Sequence, residues 1–151
     1  MKRIGNFNGE RFRNNFEDRL IFQKTIYLLQ AFGLYIGIPF SWYLHGPYSM
    51  VLANHGYSLS RKFFRINPVK FKSGASEKRF EEFYKFLGEN KDNANWLEAL
   101  ASIHFLRNTY PLMSKAKIIS EVIKKQPNLE NTECEKAWIY LVKYNLIRER
   151  D

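Results

Sequence analysis

The chain has 151 residues, of which 45% are hydrophobic and 17% aromatic, and its 24 Lys+Arg against 15 Asp+Glu give a formal net charge of +9. That length encloses a one-domain core without disulfide or metal support, and the composition excludes the low-hydrophobicity, high-charge class that stays disordered. The positive balance favours anionic partners such as nucleic acid, acidic protein surfaces or anionic lipid, or else serves solubility.

Residues 1–13 mix basic residues, Asn and Gly with isolated Phe7 and Phe12 and show no sustained period, so they read as an arm that docks late or stays mobile. Polar residues follow Met1-Lys2-Arg3 where a secretory signal would place its apolar core, and the lone Cys134 cannot form an internal disulfide. A cytoplasmic protein is expected. Residues 14–151 are then read as one helical domain.

Asn14 or Asn15 is placed to cap a helix over Phe16 to Phe32, with Glu17 and Asp18 at the positive end of its dipole and Gly33 as its stop. Phe22, Ile26, Leu29 and Phe32 fall on one face, widened by Leu20, Ile21 and Leu28, which predicts the central core helix. The apolar-rich stretch from Leu20 to Phe40 contains Gln23, Lys24, Thr25 and Gln30, which makes it a poor membrane span. No membrane partner is expected.

Phe40, Trp42 and Leu44 alternate with Ser41, Tyr43 and His45 in the two-residue period of a half-buried strand, which His45-Gly46-Pro47-Tyr48 ends as a turn. Ser49 caps a short helix from Met50 to His55, and Gly56 closes it. Phe64/Ile66 and Val69/Phe71 suggest a small hairpin around Pro68. Ser76 caps a helix to Leu87 with Phe80, Phe83, Tyr84 and Leu87 on one face, and Gly88 stops it. Residues 94–109 carry another, built on Trp96, Leu97, Leu100, Ile103, His104 and Leu106.

The last third has the clearest local pattern. Ser114 caps Lys115 to Lys125, Gln126-Pro127-Asn128-Leu129 turns, and a second helix spans about Thr132 to Tyr144 with Cys134, Ala137, Trp138 and Leu141 buried. Asn145 suits the left-handed C-terminal position, with Leu146 supplying the apolar contact. Segment 114–147 therefore matches helix-turn-helix spacing, and the fold class is mainly α: a compact helical domain with a small β-hairpin and a winged-helix-like or helix-turn-helix-like character. Only four residues follow Ile147, so no wing is expected after the helix pair.

Catalytic patterns are sparse. Cys134 lies on a predicted buried stripe, His104 reads as a core histidine, and His45 and His55 have no Asp, Glu or Cys at metal-ligand spacing. The sequence has no phosphate-cradling glycine loop and no nucleophile elbow, so neither a cofactor nor a metal is expected. An enzyme with a pocket near His45, Tyr48 and His55 is the weakest alternative.

Gln23-Lys24-Thr25-Ile26-Tyr27 together with Trp42-Tyr43-Leu44-His45-Gly46-Pro47-Tyr48-Ser49 resembles the YwgA-like group and, more distantly, the Panacea antitoxin domain. The resemblance covers about residues 16–60, with looser support at 96–105 and 137–147. It implies a mostly helical domain that regulates or neutralises something, without implying a chemistry.

Basic residues cluster at Arg61, Lys62, Arg65, Lys70 and Lys72, interleaved with Phe63, Phe64 and Phe71, and again at Lys115, Lys117, Lys124 and Lys125. Lysine-rich clusters without base-reading groups predict nucleic-acid binding mainly through phosphates by a non-enzymatic regulator. Glu133 and Glu135 near the start of the last helix oppose its use as a DNA-reading helix. The alternative is a protein-binding adaptor or antitoxin-like partner that uses Trp42, Tyr43 and Tyr48, or the acidic Glu133 and Glu135.

Overall fold

A computed structural model describes residues 7–62 and 70–149. Among these residues the chain forms seven α-helices and one two-stranded antiparallel sheet. None of the helices is long and apolar enough to cross a membrane.

Helix α1 (Gly9–Asn14) is capped by Asn8 and followed at once by α2 (Phe16–Ala31), whose N-cap Asn15 accepts from the amides of Glu17 and Asp18. The expected arm therefore docks over its described part, with Phe12 buried against Phe22 and Tyr57. Gly56 makes this possible. A Cβ at Gly56 would run into the Phe12 ring, and one at Gly9 would lie 2.6 Å from the Ser60 carbonyl. Gly56 does not end its helix, because α3 runs from Met50 to Ser60 and keeps the glycine inside as the contact point for α1.

Strands β1 (Ser41–Tyr43) and β2 (Gly46–Tyr48) pair with Trp42 opposite Pro47 and Tyr43 opposite Gly46. The turn is thus Leu44-His45, two residues earlier than the sequence suggests, and Gly46-Pro47 belongs to the second strand. Gly46 has φ +81°, the left-handed glycine that follows a turn in one common hairpin class. The hairpin expected around Pro68 falls on residues 63–69, outside the described residues, apart from Phe71, whose ring meets Phe80.

Helix α4 (Gly74–Leu87) is capped by Ser73, three residues before the expected Ser76, and buries Phe83, Phe86 and Leu87 before a 3-10 turn over Gly88–Asp92. Helix α5 (Ala94–Thr109) is the true centre. It packs on α2, β2, α6 (Lys115–Lys125) and α7 (Asn131–Lys143), and Ala99, Ala101 and Ser102 are wholly buried. These small side chains let neighbouring backbones approach from several sides, and an all-round buried helix lacks the one-sided period that made α2 look central.

Helices α6 and α7 pack on each other and on α5 across the turn at residues 126–130. Asn145 has φ +57°, its amide bonds the Val142 carbonyl, and the Leu146 amide bonds the Leu141 carbonyl. These paired bonds close α7 as a Schellman motif, as the Asn-Leu pair predicts.

Candidate functional site

Helix α2 is rotated from the expected orientation. Gln23, Lys24 and Thr25 are buried along with Tyr27 and Leu28, while Phe22, Ile26 and Leu29 are only partly buried. The polar residues sit inside because the hairpin backbone meets them there. The Gln23 side chain donates to the Ser49 carbonyl at 2.8 Å and accepts from the Ser49 amide at 3.0 Å, while Ser49 Oγ caps α3 at the Leu52 amide. Lys24 Nζ donates to the Pro47 carbonyl at 2.7 Å with the lysine 2% exposed. Burial pulls its ammonium down to about 8, against the raising influence of the Glu98 carboxylate.

From α5 and the α6–α7 turn come the other contacts. Glu98 Oε1 lies 3.2 Å from His45 Nδ1 in the hairpin turn, and its second oxygen accepts from Asn128 at 3.4 Å. The Gln126 amide satisfies all its neighbours when its oxygen accepts from the Gly46 amide at 2.9 Å and its nitrogen donates to Glu98 at 3.1 Å. A Cβ at Gly46 would overlap the Ser102 hydroxyl. Gln23 and Lys24 thus meet Gly46, Pro47 and Ser49 in space at one buried polar seat for the hairpin, with Tyr48 turned away from it.

On its other face the hairpin is apolar and open. Trp42 turns inward onto Phe105 with ring centres 5.7 Å apart, but Tyr43 is 59% exposed and Leu44 66% exposed. The Tyr43 ring meets Tyr48 at 5.5 Å, and Phe16, 54% exposed, meets the His45 ring at 5.0 Å. Of the residues expected for protein contact, Tyr43 and Tyr48 therefore sit together, whereas Trp42 is partly a core residue.

The expected basic residues divide between two places. Arg61 and Lys62 directly follow α3, which packs on α1 and α2, and with Asn54, Tyr57 and Ser58 they line a shallow depression. Lys70 and Lys72 are exposed before α4, and Arg65 lies outside the described residues. On α6, Lys115 pairs with Glu135 at 2.6 Å and Lys117 with Glu121 at 2.9 Å, while Lys124 and Lys125 are exposed in the last turn.

On α7 the residues opposite the buried Cys134, Ala137, Trp138 and Leu141 are Thr132, Lys136, Ile139 and Lys143, all exposed. Their spacing of four, three and four residues keeps them in one stripe. The two acids that speak against this helix lie to either side of it. Glu135 is held by Lys115, and Glu133 is partly buried, its carboxyl kept above the usual range by burial and by the charges of Glu130 and Glu98. Lys136 and Lys143 are legible in the sequence only after the buried face is phased on Trp138.

His104 is a core histidine whose Nδ1 meets the Tyr27 hydroxyl at 2.7 Å, and burial pushes its pKa down to about 4. Cys134 is buried, with its thiol pushed up to about 11 by burial first and then by Glu133 and Glu135, which suits packing and not nucleophilic attack. His55 is exposed on α3, apart from the Glu98-bound His45. A half-open groove of about 670 Å³ lies between α1, α2 and the 3-10 turn, lined in part by Phe7, Phe12, Phe22 and Asp18, and none of His45, Tyr48 or His55 reaches it. Comparison with protein-family models, curated proteins and solved structures returned no match for this chain.

Proposed function

We propose that this chain is a non-enzymatic regulatory module that binds nucleic acid through phosphate contacts, using the α6–α7 pair in a helix-turn-helix-like manner. The observation that carries the reading is the α7 stripe of Thr132, Lys136, Ile139 and Lys143. It offers two cations, a hydroxyl and a methyl-bearing side chain, with no carboxylate within the stripe itself. Lys124 and Lys125, exposed at the end of α6, add further positive charge on the partner helix. Such a stripe suits a polyanion's backbone, with Ile139 free to meet thymine methyl groups if the helix enters a major groove.

The contribution expected of the remaining lysines is smaller. Lys115 and Lys117 hold carboxylates of their own, and Arg61 with Lys62 belongs to a different pair of packed helices. The net charge of +9 supplies long-range attraction in either case.

Titration of mixed-sequence duplex DNA at increasing salt tests the reading. Four phosphate contacts give a log-affinity against log-salt slope of about −4, and Lys136→Glu with Lys143→Glu lowers its magnitude by about two. Absence of binding at low salt, or a slope unchanged by the double substitution, rejects it.

A further inference from the structure

The groove between α1, α2 and the 3-10 turn belongs neither to the hairpin seat nor to the α6–α7 pair. Its wall is built on Phe7, Phe12 and Phe22, whose ring centres lie 5.3 to 5.8 Å from one another, and Ile21 and Ile26 extend the apolar surface along α2. At about 670 Å³ and half open, it has the size of a small-molecule site, where an apolar lining carries a few placed polar groups. One such group is Thr25. The residue lines the groove at 7% exposure, yet its hydroxyl has no hydrogen-bond partner among the described residues. A threonine inside a helix commonly donates back to the carbonyl four residues earlier, as Thr109 does to Phe105 at 2.8 Å. Thr25 leaves that bond unmade. A hydroxyl taken out of water without a partner is costly, and a ligand that bonds it recovers the loss.

The charges that line the groove set the sign of its ligand. Asp18 takes the Arg11 guanidinium on both oxygens, at 2.9 and 3.0 Å, and Lys91 lies 3.9 Å from Asp92. Each of the two cations thus has a carboxylate beside it. Glu17, exposed in the first turn of α2, has no ion-pair partner among the described residues. Three carboxylates against two cations leave the lining net negative in a chain whose overall balance is +9. Aromatic ring faces carry negative potential as well, so the phenylalanine wall and Glu17 both favour a cation. Glu17 and Thr25 stand eight residues apart on α2, about 12 Å along its axis, with Ile21 and Phe22 between them. A ligand that meets both has a positive end, an apolar body and a polar group at its far end.

We infer that this groove binds a small arylalkylamine with a hydroxyl on the far side of its ring. The ammonium meets Glu17, the ring packs on Phe7, Phe12 and Phe22, and the hydroxyl bonds Thr25 Oγ1. A primary ammonium offers donors to a carboxylate, and the ligand hydroxyl can donate to the threonine or accept from it. None of these groups belongs to the α7 stripe proposed for nucleic acid.

Titration of the isotope-labelled full chain with tyramine, followed through amide chemical shifts, tests the site. Three related probes each change one feature: phenethylamine lacks the ring hydroxyl, tyrosol carries a neutral hydroxyl in place of the amine, and para-hydroxyphenylacetate carries a negative charge there. The overall balance of +9 by itself favours the acid, whereas the groove favours the amine. The expected result is saturable binding of tyramine about tenfold tighter than that of para-hydroxyphenylacetate, with shifts concentrated in residues 7–26 and 88–92. Glu17→Gln weakens tyramine about threefold, as suits an exposed charge pair, and leaves tyrosol unchanged. Thr25→Val weakens tyramine about fivefold and phenethylamine hardly at all. Because the Thr25 hydroxyl has no partner in the fold, that variant keeps the circular dichroism spectrum of the parent chain. Equal or tighter binding of the acid overturns the inference, as does the lack of saturable tyramine binding, shifts centred elsewhere, or indifference to either substitution.

Discussion

The α5–α7 helices and the hairpin seat are adjacent, but they are held by opposite means. Between α5, α6 and α7 the contact is apolar: Leu100, Ile103, Ile118, Val122, Cys134, Ala137, Trp138 and Leu141 belong to one buried cluster. Under the hairpin it is polar, with charged and amide side chains reaching main-chain groups. Apolar packing tolerates similar shapes, whereas a buried lysine without its acceptor is left with the full cost of desolvation. The helices should therefore respond to volume, and the hairpin to geometry and charge.

The largest expected effect is at Gly46, where Gly46→Val combines a β-branched residue at positive φ with overlap on Ser102. A loss of about 4 kcal/mol or more in chemical denaturation is expected from backbone strain plus overpacking. On the apolar side, Trp138→Ala should cost about 3 to 5 kcal/mol. Trp138→Phe should cost clearly less than the alanine variant, because it keeps most of the buried ring and the indole N–H that it removes is buried without a hydrogen-bond partner. If the alanine and phenylalanine variants proved equally destabilised, volume would not be what α7 needs there.

A smaller effect separates the regions by pH. The folded pKa of His104 is about 4 and its ordinary value 6.5, so the unfolded chain binds the extra proton first as pH falls. Stability then drops between about pH 6.5 and pH 4, by roughly 3 kcal/mol if the shift is fully realised, and His104→Gln removes that part of the slope. Lys24 works in the alkaline range. Its folded pKa of about 8 lies below the ordinary 10.5, so the charged form is disfavoured in the fold and stability rises as pH climbs from about 8 to 10.5. The smallest effect expected is about 1 kcal/mol for Asn15→Ala, which removes the cap of α2 and should lower the thermal midpoint slightly.

Much of the helical architecture is legible in the sequence. Asn15, Ser49, Ser114 and Asn145 act at helix ends as their side-chain chemistry predicts, and the 114–147 pair falls within a residue or so of its expected bounds. What periodicity misplaces is the burial of α2, since a count of apolar residues assigns Gln23 and Lys24 to solvent and has no way to register a backbone arriving from 23 or more residues away. Gly56 is misread for a related reason: a glycine that stops a helix and one that admits a neighbouring phenylalanine look alike until α1 is in place. The hairpin turn slips by two residues because Gly-Pro suits a turn locally, while Pro47 is here needed for its carbonyl. As for the candidate site, the charge clusters are visible, but which lysines carry ion pairs and which share a stripe depends on the phase of each helix.

The buried polar seat, and not apolar packing, should be what fixes the hairpin. Hydrogen exchange on Lys24→Met, which keeps the apolar stem as far as Cε but removes the Nζ donor to Pro47, tests this most directly. The prediction is at least a tenfold loss of protection, about 1.4 kcal/mol, at amides between Trp42 and Ser49, with the amides of α5, α6 and α7 nearly unchanged. Loss of protection by the same factor in the hairpin and in all three helices, or none in the hairpin, would contradict it.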